Sequence, residues 1–174
     1  MDQAIVACST PPGRGAISVV RISGKEAKSI INNLFSLQFD HGTSKVAETN
    51  LSEGFNEKCL ISCFEGPSSY TGEDVAEISC HGNPLIVRAL IQKCIELGAR
   101  NANPGEFTQR AFLNNKIDLA QSEAVIDLIN ASSSAAIVAA SKSVSGNFGE
   151  NVDKILESLR TVSYTHLRAH ETQR

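Results

Sequence analysis

The sixteen residues from Pro104 to Leu119, Pro-Gly-Glu-Phe-Thr-Gln-Arg-Ala-Phe-Leu-Asn-Asn-Lys-Ile-Asp-Leu, constrain this chain more tightly than any other stretch. They hold a helix start, a short helix, a stop and a second helix start. Pro104-Gly105 breaks the preceding element, and Glu106 puts a negative charge in the first turn, where unpaired backbone N–H groups favour it. Phe107, Ala111 and Phe112 recur at helical spacing and are expected to form the buried face. Asn114-Asn115 has the character of a left-handed stop, since Asn tolerates positive φ. Asp118 with Gln121 three residues later has the form of a capping box for the next helix. Lys116 is thereby confined to a loop fixed at both ends, a position that holds a cation still.

The remaining pattern predicts an α+β fold followed by helices. Ala4 to Cys8 and Ala16 to Ile22 have strand character, Lys25 to Phe35 helical character with Ala27, Ile30, Ile31 and Leu34 on one face. Residues 38–57 are polar, and the expectation is a loop with one weak strand near Val46. Cys59 to Phe64 and Val75 to Cys80 are predicted strands around a Gly66-Pro67-Ser68-Ser69 turn. Pro84 to Leu97 is a predicted helix with Pro at its start and Gly98 just past its end. After Asp118 the pattern is helical, Leu119 to Asn130 and then Ser132 to about Leu159. Gly146 and Gly149 weaken the second helix, and Ser132-Ser133-Ser134 can cap it. Amphipathic patterning fades after Arg160. Residues 162–174 resemble translated sequencing-adapter read-through rather than native protein.

Composition narrows the class. No apolar run approaches the length that spans a bilayer, and no export leader is recognisable. The five cysteines, Cys8, Cys59, Cys63, Cys80 and Cys94, are an odd number without framework spacing, which favours reduced, buried thiols in a cytosolic protein over a zinc site built from Cys59, Cys63, Cys80 and His81. Net charge is −3 and the isoelectric point about 5.8, with acids and bases interspersed. A domain that gripped nucleic acid alone would carry a basic stripe, and none is evident in this sequence.

Two charged residues stand among apolar neighbours. Arg21 lies beside Val19, Val20 and Ile22; Glu77 lies between Ala76 and Ile78. Burying either unpaired is costly, so each needs an opposite charge or an ionic ligand. The plain solution is that they pair with each other. Lys116, taken alone, is a solvated loop lysine.

Three blocks carry a family resemblance: Thr10-Pro11-Pro12-Gly13-Arg14-Gly15 running into Val20-Arg21-Ile22-Ser23-Gly24; Tyr70-Thr71-Gly72-Glu73-Asp74-Val75-Ala76-Glu77-Ile78 followed by His81-Gly82; and the Pro104–Leu119 run continuing to Gln121. In this order they resemble the tRNA-modifying GTPase family known as MnmE or TrmE, from about Ile5 to about Arg160. Ser122 stands where that family usually has Ala. The resemblance implies a tetrahydrofolate-binding-like N-terminal domain over residues 1–117, with folate-binding and dimerisation roles. The first helices of a central helical domain would follow over 118–161. It implies 5-formyltetrahydrofolate or another one-carbon tetrahydrofolate as ligand, with Arg21, Glu77 and Lys116 as the matching positions. Glu77 would accept the pterin's adjacent N–H groups, and Arg21 and Lys116 would face the anionic glutamyl tail. Asp74, Arg110 and Asp118 are expected to hold loops and helix ends.

The resemblance further implies action on the wobble uridine of tRNA at C5, a homodimer, the flavoprotein partner GidA (MnmG) and a cytoplasmic setting. No G-x-x-x-x-G-K-[ST] loop occurs in these 174 residues, so GTP, Mg and K would belong to a GTPase domain outside them, and the chain is expected to be an N-terminal fragment without GTPase activity. Two other readings stay open: a stand-alone folate-dependent aminomethyl- or formyl-transfer domain, and a non-catalytic dimerisation module.

Overall fold

The computed structural model describes residues 3–40, 42–52, 54–146, 152 and 154–162. The chain divides into two compact units, Met1–Lys116 and a second one beginning at Ile117. In the first, the strands are β1 (Ile5–Cys8), β2 (Ile17–Ser23), β3 (Ser44–Ser52), β4 (Phe55–Phe64), β5 (Val75–His81) and β6 (Arg100–Asn101). They make one sheet in the order β3-β4-β5-β2-β1-β6, antiparallel except where β6 runs parallel to β1. Helices α1 (Ala27–Phe35), α2 (Pro84–Glu96) and α3 (Glu106–Leu113) complete the unit.

The core follows from strand alternation. Val20 and Ile22 of β2, Cys59, Ile61 and Cys63 of β4, and Ala76, Ile78 and Cys80 of β5 point to one face. There they meet Ala27, Ile30, Ile31 and Leu34 of α1, the stripe its spacing predicts, and Leu90 and Cys94 of α2. Burial pushes the thiols up, Cys59 and Cys94 to about 12 and Cys80 to about 11, so they behave as small apolar groups. Asn83 caps α2 by accepting a hydrogen bond from the Leu85 N–H, and Pro84 occupies the first turn.

Three sequence expectations fail here. Residues 38–57 are not a loop with a weak strand: β3 is a nine-residue strand, and β4 begins at Phe55 and forms a hairpin with it. The inward positions of β3 are Ala47, Thr49 and Leu51, so small and polar residues hide the period of two. Thr49 is admitted because its hydroxyl donates to the Leu34 carbonyl at 2.8 Å. Second, the buried face of α3 is Glu106, Arg110 and Ala111, with Phe112 exposed, because this face packs by charge rather than by aromatic rings. Third, the helix expected from Ser132 to about Leu159 is interrupted: α5 (Ser134–Val144) ends before Gly146, which takes a φ of 85°. Gly149 lies outside the described residues, as do 163–174 of the tail; 154–162 is helical.

That charged face organises the unit. The Arg110 guanidinium, 1 % exposed, donates from Nη1 to Glu73 Oε2 at 2.9 Å and from Nη2 to the Gln3 carbonyl at 3.0 Å and Glu106 Oε1 at 3.3 Å. Glu73 Oε2 also accepts from Ser23 Oγ at 2.8 Å, and Ser23 Oγ lies 2.7 Å from Thr71 Oγ1. Glu106 is held from its other side by the Arg100 guanidinium and by the Asn103 N–H. Helix α3, the loop 65–74, strand β2 and the chain start are thereby tied to one side chain.

In the second unit α4 (Leu119–Asn130) starts on the expected capping box. Gln121 N donates to Asp118 Oδ1 at 2.7 Å, and Asp118 N donates to Gln121 Oε1 at 2.8 Å. The same Gln121 amide donates to the Val144 carbonyl at the end of α5, and Ser133 caps that helix's start.

Two predictions follow from this packing. A Cβ on Gly82 would sit 2.5 Å from the Gly15 carbonyl oxygen, where the Gly15 N–H donates back to the Gly82 carbonyl. Gly82→Ala should therefore cost about 1–3 kcal/mol, read as a lower melting temperature. Arg100 first, then the Asn103 N–H and Arg110, hold the Glu106 carboxyl down at about 2 against an ordinary 4.5. A depressed carboxylate contributes stability that is whole above its unfolded value and is lost as pH falls through the folded one. Denaturant unfolding should show stability dropping between about pH 4.5 and 2, and Glu106→Gln should flatten that limb.

Candidate functional site

Arg21 and Glu77 face each other directly across the β2–β5 ladder, on the side of the sheet away from the core. Their pairing is the plain solution the sequence allowed. Arg21 Nη2 lies 2.7 Å from Glu77 Oε1, and Nε donates to the same oxygen at 2.8 Å. Both bonds fall on one carboxylate oxygen, so among the described residues Oε2 carries none. The two side chains are 23 % and 28 % exposed, which leaves the pair reachable from solvent.

Two aromatic rings frame it. The Arg21 guanidinium carbon lies 4.9 Å from the centre of the Tyr70 ring and 5.7 Å from that of Phe107. Tyr70 rides on the loop 65–74 and Phe107 on α3, and the Tyr70 hydroxyl lies 3.0 Å from Thr108 Oγ1. Arg110 fixes the spacing of these two elements through Glu73. Asp74 stiffens the same loop by accepting from the Gly66 N–H at 3.0 Å.

Lys116 sits at the other shoulder of that loop. Its N–H donates to the Ala111 carbonyl at 2.9 Å, and Asn115 takes a φ of 56°, the left-handed stop expected. A Cβ on Gly72 would lie 3.0 Å from Lys116 Cγ, so glycine lets the lysine stem lie against the loop. Asn114 Nδ2 closes the corner by donating to the Thr71 carbonyl at 2.7 Å. Among the described residues the Lys116 ammonium joins no ion pair.

Arg21 and Glu77 are thus brought into contact, and Lys116 is placed with its stem against Gly72 of the loop that carries Tyr70. Sequence reasoning missed the ring walls: Phe107 was assigned to a core face, and nothing in the pattern couples Tyr70 to Arg21. It also missed Glu57, a buried carboxylate that accepts from the His81 N–H at 2.8 Å and lies 2.7 Å from His81 Nδ1. No local signal joins those two residues. Chemically, the Arg21–Glu77 pair and its ring walls offer a half-used carboxylate, a cation and two π faces to a flat, polar molecule.

No described helix is long and apolar enough to cross a membrane. The model of the family described as "GTP-binding protein TrmE N-terminus" matches residues 4–116. Among similar proteins, the tRNA modification GTPase MnmE of Francisella philomiragia is 48% identical over 156 residues, 89% of this chain and 34% of the relative. The protein of the same name from Francisella tularensis subsp. tularensis is 46% identical over 155 residues, with the same coverage. The chain therefore spans about a third of the length of these relatives. With the matched region holding the whole of the sheet and the site upon it, the chain belongs to the TrmE N-terminus family.

Proposed function

We propose that this chain is the N-terminal part of a GTPase that modifies the wobble uridine of tRNA at C5, and that it supplies one-carbon tetrahydrofolate binding and dimerisation. The names of the relatives support the tRNA and GTPase part of this reading. In it, GTP with Mg and K is handled by a domain beyond this chain, most tRNA contacts lie there too, the flavoprotein GidA (MnmG) shares the chemistry, and the setting is cytoplasmic.

The observation that carries the folate reading is the unused Oε2 of Glu77 beside Tyr70 and Phe107. A pterin presents an amino group and a ring N–H side by side, and a carboxylate accepts both. Glu77 can do so once Arg21 turns away from Oε1, and the Lys116 ammonium, in no ion pair among the described residues, offers a cation to the ligand's anionic tail. The carboxylate, cations and rings present match 5-formyltetrahydrofolate in charge and chemical type. One observation favours the rival reading of a non-catalytic dimerisation module: Arg21 and Glu77 already neutralise each other.

Dimerisation draws support from the outer sheet face. Ile17, Val46 and Leu60 are 67 %, 59 % and 45 % exposed and line one hollow with Lys58 and His81. Apolar side chains gathered on one sheet face favour a covering partner, and a second copy is the simplest one.

Calorimetric titration of 5-formyltetrahydrofolate tests the site. Wild type should bind; Glu77→Gln should lose about 2–3 kcal/mol, and Lys116→Ala about 1 kcal/mol without loss of stability. A folded chain that does not bind, or Glu77→Gln binding as tightly as wild type, would sink the folate assignment. Sedimentation velocity tests the dimer: Leu60→Glu should yield monomer, whereas an unchanged dimer would place the contact elsewhere.

A further inference from the structure

A cavity of about 490 Å³ lies on the helix-covered side of the sheet, opposite Arg21 and Glu77. Its origin is topological. β6 has only two residues, so the sheet ends at Asn101 while one flank of α2 continues beside it. Val87, Ile91 and Ile95 on that flank are left half-buried and form the apolar floor. The facing wall is the loop after β1, where Pro11-Pro12 has fixed φ and little freedom to collapse into the gap. The volume falls within the range of small-molecule sites, and an apolar floor with few polar groups is their usual lining.

The polar groups give the ligand its sign. Arg88 is the one charged residue of the lining, and among the described residues it joins no ion pair. Asn101 and the hydroxyl of Thr10 also border the space, and Cys8 stands at its side as a half-buried thiol. We infer that this cavity binds a small amphipathic anion, with a ring laid on Val87, Ile91 and Ile95 and a carboxylate, sulfonate or phosphate group paired with Arg88. The inference is independent of folate binding, because the two sites share no residue and lie on opposite faces of the sheet.

Cys8 provides a built-in reporter, since the other four thiols are buried and alkylate slowly. The 174-residue chain is titrated with 1-anilinonaphthalene-8-sulfonate, and the rate of Cys8 carbamidomethylation by iodoacetamide is followed by mass spectrometry. Saturating probe should slow Cys8 alkylation at least several-fold. Arg88→Gln, a change at an exposed position that leaves the core intact, should weaken the probe roughly tenfold, the scale of one charge-assisted contact. Ile91→Asp should remove protection. An alkylation rate unaffected by the probe would overturn the proposal, as would half-maximal protection of wild type and Arg88→Gln at the same probe concentration. If Ile91→Asp fails to fold, the Arg88→Gln comparison decides alone. Titration of 5-formyltetrahydrofolate into Arg88→Gln should match wild type, which keeps failure here distinct from failure at Glu77.

Discussion

A single buried guanidinium holds the first unit in register. Arg110 reaches the start of the chain at Gln3, the loop at Glu73 and its own helix at Glu106. Burying a cation is justified only when its donors are used, and three of the five N–H groups are placed on acceptors through Nη1 and Nη2, while Nε has none among the described residues. Replacing such a network by apolar side chains is often harmless to stability. Here it would free the loop 65–74 from α3, and with it the spacing of Tyr70 and Phe107. The network is therefore better understood as fixing geometry than as adding stability.

The Arg21–Glu77 pair, by contrast, lies on the surface of the sheet and shares only one carboxylate oxygen. Partly exposed pairs of this kind contribute less to folding than buried ones, because water reaches both partners. Their cost of rearrangement is correspondingly small. Charges that satisfy each other, yet are cheaply redirected, leave both side chains able to turn to other polar groups.

The sequence disclosed those parts of the structure whose signals are local. The stripe on α1, the Asn83–Pro84 start of α2, the left-handed Asn115 and the Asp118–Gln121 box all lie within a few residues of their partners, and each appears as expected. Long-range pairings behaved differently. The Arg21–Glu77 contact was foreseeable because opposite charges stood in apolar strands. Glu57 and His81 gave no such sign, since Glu57 lay in a stretch without apparent period. Strand β3 was hidden because Ala47 and Thr49 hold positions that usually belong to larger apolar residues. On α3 the aromatic rings suggested a core face, whereas two charged side chains, Glu106 and Arg110, supplied a buried network that no hydrophobic count detects.

The order of the strands also bears on how the chain is made. β1 with β2, and β3 with β4, pair with near neighbours and can form as soon as they emerge from the ribosome. The central seam cannot: β2 waits for β5, with Ile17 opposite His81, and β1 waits for β6 beyond α2. Until then, two hairpins carry open edges whose inward faces are apolar. Arg110, which joins the seam to the chain start, is translated later still. The two half-sheets can join only once residue 81 is made, and from there to residue 110 the nascent sheet has no clasp, so the closing charge network arrives as the final piece of its own domain.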